Sequence, residues 1–247
     1  MAAFGPLSAL FRDAGSGDAE DGVVDWYRRH LPESGAILDA MCGAGRVLVP
    51  LVEAGVKVHG CDASAAMLAM CEARLAAAGR EATLYRQELS ALNLPFRYVA
   101  AYVDAGAFQR IDDSLAAQRA LERIRAHLVP PGIVLIDLYV PAAAAHPPGA
   151  PAVEIRTRAL PDGSKIAQRS EIVVDAEGRR IAVSSRYERR TGRTISARED
   201  ETLALTWYDQ ESIRELAAES GYTSIEILDS PRSADPGERR FALRASG

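Results

Sequence analysis

Between Ile37 and Tyr139, short apolar runs alternate with segments of helical period, and this alternation constrains the chain more than any other feature. The runs are Ile37 to Ala40, Val56 to Cys61, Ala82 to Tyr85, Tyr98 to Val103 and Ile133 to Val140, and between them Arg46 to Ala54, Ser64 to Ala78 and Asp112 to Leu128 have the pattern of helices. In the last of these Ala117, Ala120, Leu121, Ile124 and Leu128 share one stripe, which the PPG of Pro130 to Gly132 is expected to end. Continuously apolar runs suit strands covered on both faces, and strand–helix alternation builds parallel sheets with crossover helices. With 247 residues, 48% of them hydrophobic, the chain can form one sizeable α/β domain or two small ones.

The pattern changes after Val140. Pro141 to Pro151, PAAAAHPPGAP, has the composition of a linker. Four runs of period two follow, marked by Val153/Ile155, Ile172/Val174, Ile181/Val183 with Tyr187, and Ile195 leading to Leu203/Leu205. The turn sequences PDGS, DAEG and RTGR separate them, so an antiparallel meander with one polar face is expected. Arg156, Arg158, Arg169, Arg186, Arg189 and Arg190 alternate with Glu154, Glu171 and Glu188 and read as a solvated face, with selection of an anionic acceptor as the alternative. A helix at Asp209 to Ser220 and strands near Thr223 to Leu228 and Arg239 to Arg244 would rejoin the first sheet.

Charge and composition exclude several classes of function. A formal net charge of -5 gives no general attraction to nucleic acid or anionic lipid. The N-terminal MAAFGPLSALFRDAGSG lacks the basic and apolar regions of a signal peptide, and no stretch approaches the roughly 18 apolar residues of a membrane span, so a soluble, cytoplasmic protein is expected. Cys42, Cys61 and Cys71 match neither a disulfide framework nor a zinc pattern, and none of the four histidines is paired with another ligand at helical spacing. No bound metal is expected, and the chemistry should come from a cofactor.

That cofactor would meet ILDAMCGAGR, Ile37 to Arg46. In a strand–glycine turn–helix unit the backbone N–H groups point toward a ligand, and absent side chains let it approach; an ordinary tight turn is the alternative. The next strand ends at Asp62, 19 residues beyond Gly43, where a carboxylate can accept both hydroxyls of a ribose, or cap the following helix, a task also open to Ser64. The two features together favour a nucleoside. Leu48 stands where a dinucleotide fingerprint has its third glycine, which argues against a pyrophosphate.

Over Ile37 to Leu75 the sequence resembles the nucleotide-binding half of class I S-adenosylmethionine-dependent methyltransferases, with a looser likeness from about Val23 to the C-terminus. The resemblance implies S-adenosylmethionine as cofactor and S-adenosylhomocysteine as product. Asp39 would neighbour the methionine end, Gly43 and Gly45 would let the turn pass beneath it, and Asp62 would hold the ribose. Ala63 and Met67 would line the adenine, with Glu88 at its amino group and Leu89 beside it. Asp104 and Ala105 would lie near the transferred methyl, Asp104 as a possible base or as a turn former, while Phe108 and Gln109 would edge the acceptor pocket, with a core position as the alternative for Phe108. Three positions depart from the family pattern: Met41 replaces its first glycine, Val99 replaces an aspartate common in the fourth strand, and DAGA replaces the N-P-P-Y type sequence of enzymes acting on amide or adenine nitrogens.

The implied fold is α/β: a Rossmann-like, mostly parallel seven-stranded sheet with flanking helices, built from residues 1–140 and 207–247, with an antiparallel β insertion or lid at 151–206 after the fifth strand. The implied reaction is in-line methyl transfer to an N or O atom of a small molecule by a monomer or homodimer. An NAD(P)-dependent oxidoreductase and a non-catalytic S-adenosylmethionine-binding protein are the alternatives.

Overall fold

The computed structural model describes residues 4–16, 19, 22–142, 151–234 and 237–247. Most of the linker read from sequence, residues 143–150, lies outside the described residues. The alternating region folds as β1 (Ile37–Asp39), α3 (Leu48–Glu53), β2 (Val58–Asp62), α4 (Ala65–Ala77), β3 (Leu84–Arg86), β4 (Tyr98–Val103), α5 (Ser114–Ala126) and β5 (Leu128–Val140), preceded by α1 (Pro6–Ser16) and α2 (Val23–His30). After the insertion, α6 (Gln210–Glu219), β10 (Ser224–Leu228) and β11 (Arg239–Ser246) complete a seven-stranded sheet of order β10-β11-β5-β4-β1-β2-β3. Its strands β5-β4-β1-β2-β3 are parallel, and β11 runs antiparallel to both β5 and β10.

Alternation along each central strand divides the core into two layers. Ile37, Ala100, Tyr102 and Leu135 pack with Tyr27, Leu48 and Leu68 from α2, α3 and α4. Leu38, Ala101, Val103 and Ile136 pack with Leu121, Ile124 and Ile213 from α5 and α6. Both faces are covered, which is why these strands are continuously apolar up to the acids near their carboxyl ends. The PPG segment does not stop α5, which ends at Ala126 before it. Pro130 to Gly132 instead lies within β5, where the register with β4 shifts between Tyr98 and Ala100 and such an irregularity accommodates prolines that donate no ladder bond. No helix among the described residues is long and apolar enough to cross a membrane.

The insertion is a second sheet of order β6-β7-β8-β9, made of β6 (Ala152–Ala159), β7 (Lys165–Asp175), β8 (Arg180–Thr191) and β9 (Thr194–Thr206), each antiparallel to its neighbour. Its inner face carries Ile172, Val183 and Leu203 in register, then Ser170, Ser185 and Glu201. Register overturns the expectation for β6. Glu154 pairs with Ser170 and Arg156 with Gln168, so these charged residues face inward, while Val153 and Ile155 are 52% and 72% exposed.

Helix α1, which the periodicity did not announce, joins the two sheets. Leu7, Phe11, Ile166 and Tyr187 pack together, and Glu199 of β9 accepts from the backbone N–H groups of Leu7 and Ser8 at 2.7 and 3.0 Å. A carboxylate there satisfies orphan donors and suits the positive end of the helix. Arg12 pairs with Glu201 at 2.8 Å, and Asp13 pairs with Arg74 of α4 at 2.7 Å. Glu199→Ala is expected to loosen α1 by about 1 kcal/mol. Hydrogen exchange should show faster exchange for the α1 amides, while those of β4 and β5 keep their protection.

Candidate functional site

The turn after β1 depends on two glycines for different reasons. Gly45 has φ +80°, and a Cβ there would sit 2.6 Å from the Cys71 sulfur, so a side chain would push α4 away. Gly43 has φ +52°, and the nearest atom to a Cβ would be the Met67 sulfur at 4.0 Å. Its missing side chain leaves open space in front of the turn. Met41 is buried and is not among the residues with positive φ, so the chain passes the family's first-glycine position without strain.

Asp62 ties this turn to the end of β2. One carboxylate oxygen accepts from the Gly43 N–H at 2.9 Å and the other from the Ser64 N–H at 2.8 Å, while the Cys42 N–H donates to the Cys61 carbonyl. Ser64 itself caps α4 by accepting from the Met67 N–H, and its hydroxyl donates to the Phe4 carbonyl. The N-terminal end of α1 is thereby held over the two turns.

The glycine turn, the turn after β4, α1 and the inner face of the insertion surround a cavity of about 630 Å³. Of the residues expected at the cofactor, Asp39, Gly43, Met67 and Ala105 line it. Asp62, Gly45, Ala63, Glu88 and Leu89 stand behind that wall; Ala63 and Glu88 are half-buried, and Leu89 is buried in the core. Ile172, Val183 and Leu203 give the cavity an apolar side, and Ser170, Gln168 and Arg156 a polar one.

Asp39, 2% exposed at the end of β1, has one carboxylate oxygen without a hydrogen-bond partner. Burial, opposed by the neighbouring Tyr102 hydroxyl and the Met41 backbone N–H and reinforced by the charges of Asp104 and Asp62, pushes its pKa well above the usual carboxylate range. An unmatched acid on a cavity wall is complementary to a cationic group.

Asp104 meets a different fate. Both its oxygens bind the Arg232 guanidinium, at 2.5 and 2.7 Å, and one accepts from the Tyr27 hydroxyl at 2.9 Å. Arg232 also reaches Asp137 of β5 at 3.1 Å, and Ser230 donates to the same carboxyl at 2.7 Å. Burial works against the charge on Arg232, but Asp104 and Asp137 outweigh it and hold the guanidinium protonated. To act as a proton acceptor, Asp104 would have to give up these donors. The network fixes the tight turn that follows, where Ala105 and Gly106 both have left-handed φ and the Ala107 N–H closes onto the Asp104 carbonyl.

Phe108 and Gln109 do not edge the acceptor pocket. Phe108 is fully buried against Tyr208, as in the core alternative, and the buried Gln109 amide both donates to and accepts from the Tyr139 backbone at 2.9 Å. The turn places 105–107 and Arg110 on the wall and directs 108 and 109 into the core. Sequence reading missed Arg232, Tyr27 and α1. Arg232 and Tyr27 lie 128 and 77 residues from Asp104, and no local motif contains them.

Known proteins fit this arrangement. Residues 37–132 match the family model described as methyltransferase domain. A Streptomyces fradiae protein, dTDP-3-amino-3,6-dideoxy-alpha-D-glucopyranose N,N-dimethyltransferase, is 30% identical over 110 residues, 44% of this chain and 42% of that protein. The match thus spans less than half of that relative's length. Two solved structures align nearly throughout: an S-adenosylmethionine-dependent methyltransferase from Clostridium acetobutylicum (TM-score 0.75, 16% identity, 95% of this chain and 94% of that one) and the sugar N-methyltransferase KedS8 from Streptoalloteichus (TM-score 0.76, 20% identity, 100% and 94%). The chain shares the fold of these S-adenosylmethionine-dependent methyltransferases, and its residues 37–132 match the methyltransferase-domain model.

Two outcomes follow from the acids. Arg232→Met strands two buried carboxylates and should cost about 3–5 kcal/mol in urea unfolding. Asp39→Asn should stabilise the ligand-free protein. Because the folded-state pKa of Asp39 is raised, the wild type binds this proton more readily folded than unfolded and loses stability as pH rises from the ordinary carboxylate range through the raised value. The melting-temperature advantage of the variant should therefore be largest near neutral pH and shrink on acidification.

Proposed function

We propose that this protein is an S-adenosylmethionine-dependent methyltransferase acting on a nitrogen atom of a small molecule. The observation that carries the proposal is the buried Asp39 carboxyl, one oxygen of which has no hydrogen-bond partner, beside the open space at Gly43. The residues present fit the cofactor: a cation is matched by Asp39, a close approach to the main chain is allowed at Gly43, and Met67 offers an apolar surface. Asp62 keeps lone pairs for hydroxyl donors beyond its two backbone bonds.

When bound, the cofactor supplies a methyl group made electrophilic by its sulfonium. The chain's own residues align and enclose. Asp39 would orient the amino-acid end, and the Arg232-braced turn would set Ala105 against the reacting centre. The insertion and α1 would exclude water while the acceptor is held in line. Nitrogen is favoured over oxygen because an amine that arrives neutral needs no dedicated base, and Asp104, the nearest carboxylate, is engaged by Arg232 and Tyr27. The relatives named as N-methyltransferases support the same choice.

Calorimetry with S-adenosylhomocysteine tests the proposal. Wild type should bind, and Asp39→Ala should bind about 10–100-fold more weakly. Asp62→Ala should lose affinity and also about 1–3 kcal/mol of stability, since two backbone donors lose their acceptor. Heat signals absent for both S-adenosylmethionine and S-adenosylhomocysteine would sink the reading.

A further inference from the structure

Most charges around the cavity are matched. Arg12 sits against Glu201 at 2.8 Å, Asp13 against Arg74 at 2.7 Å, Arg156 against Glu154 at 2.7 Å and Glu238 against Arg240 at 2.9 Å. Arg110 differs. Its side chain lines the cavity yet makes no ion pair or hydrogen bond with any described residue. Its guanidinium carbon lies 4.2 Å from the centre of the Phe4 ring, and so does that of Arg12. The ring meets the face of the guanidinium and satisfies none of its N–H donors. Burial, and after it the neighbouring charge of Arg12, lower the Arg110 pKa to about 10. Neither nearby acid reaches it: both oxygens of Asp62 accept from backbone donors, and Glu201 gives one oxygen to Arg12 and Tyr187 while its other oxygen bonds no described residue, Arg110 included.

A second donor faces the same space. Tyr139 lines the cavity, and no described residue bonds its hydroxyl. Gly106 lets its ring lie close, since a Cβ there would be 2.6 Å from the ring, and Arg240 lies 5.3 Å from the ring centre on its face. Burial, and next Glu238, raise the Tyr139 pKa, so it stays a neutral donor.

We infer that Arg110 and Tyr139 form an oxyanion site that binds a carboxylate or phosphate group of the methyl acceptor. A guanidinium and a phenol offer an anion converging N–H and O–H donors and relieve an otherwise unmatched charge. The charges Arg110 feels most are Arg12, Asp62 and Glu201, with Tyr139, whereas Asp39 feels Asp104 and Asp62. Asp62 acts on both, but Asp39 ends β1 beside the glycine turn, whereas Arg110 follows the turn after β4 and lies on the Phe4 ring. Arg110 belongs to the part of the cavity beside α1 and β9, on the insertion side. Assigning the anion to the acceptor rests on the methyl-transfer reading above.

The test uses the full chain with inorganic phosphate and acetate as separate probes. Protein saturated with S-adenosylhomocysteine should bind at least one of them, and Arg110→Gln should weaken that binding about tenfold or more, Tyr139→Phe by less, with Arg110→Lys retaining part. S-adenosylhomocysteine affinity should stay within about twofold in Arg110→Gln. That variant should fold, with an anion-free melting temperature at or above that of wild type, because a half-buried charge without an acidic partner has been removed. Equal anion binding in Arg110→Gln, or no anion binding by wild type, overturns the site. A tenfold loss of S-adenosylhomocysteine affinity in Arg110→Gln assigns the anion to the cofactor and overturns the acceptor assignment. If wild type fails to bind S-adenosylhomocysteine but binds phosphate through Arg110, the oxyanion site stands and the methyl-transfer reading falls.

Discussion

Four aspartates gather at the carboxyl edge of the parallel strands, and accommodating their mutual repulsion is the constraint on which the site depends. Asp39 ends β1, Asp62 ends β2, Asp104 follows β4 and Asp137 lies in β5. Parallel connections place successive strand ends on the same edge, so acids separated by tens of residues become neighbours. Each is accommodated differently. Asp62 is absorbed by backbone N–H groups of two turns, Asp104 and Asp137 share the one guanidinium of Arg232, and Asp39 keeps an unmatched oxygen. The residual negative field lies beside the glycine turn, a favourable place for a cationic ligand.

The roof over this edge comes from the two ends of the chain order. Helix α1 precedes the first strand and the insertion follows the fifth, yet Glu199 and Arg12 bind them to one another. Contacts from Asp13 to Arg74 and from Ser64 to Phe4 then dock the pair. One side of the cavity is thus an edge of parallel strands, and the other is an antiparallel surface whose side chains can change without disturbing that edge.

Much of this was legible. The central strands are apolar on both faces up to the acids near their carboxyl ends because both faces are covered, and the meander announced itself by period two and its turn residues. The place of Asp39 and Gly43 on the cavity wall was recognisable because it follows from a strand end and a glycine turn close in sequence. Phe108 and Gln109 were misplaced because a turn with two left-handed residues decides which of the following side chains face inward, and periodicity does not reach across it. The facing of β6 was misread for a related reason: its apolar residues alternate correctly, but pairing with β7 sets which half of the alternation meets the cavity.

The sequence by itself determined the class of fold, the glycine turn with its two acids and the order of parallel sheet before meander, because these follow from local period, turn chemistry and short spacing. Only the tertiary structure decided which charges would be cancelled. Arg232 comes 128 residues after Asp104 and Glu201 lies 189 residues after Arg12, and such pairs form only when the sheets and α1 bring them together. That long-range pairing leaves one oxygen of Asp39 and the guanidinium of Arg110 without partners on the cavity wall, where a ligand can match them.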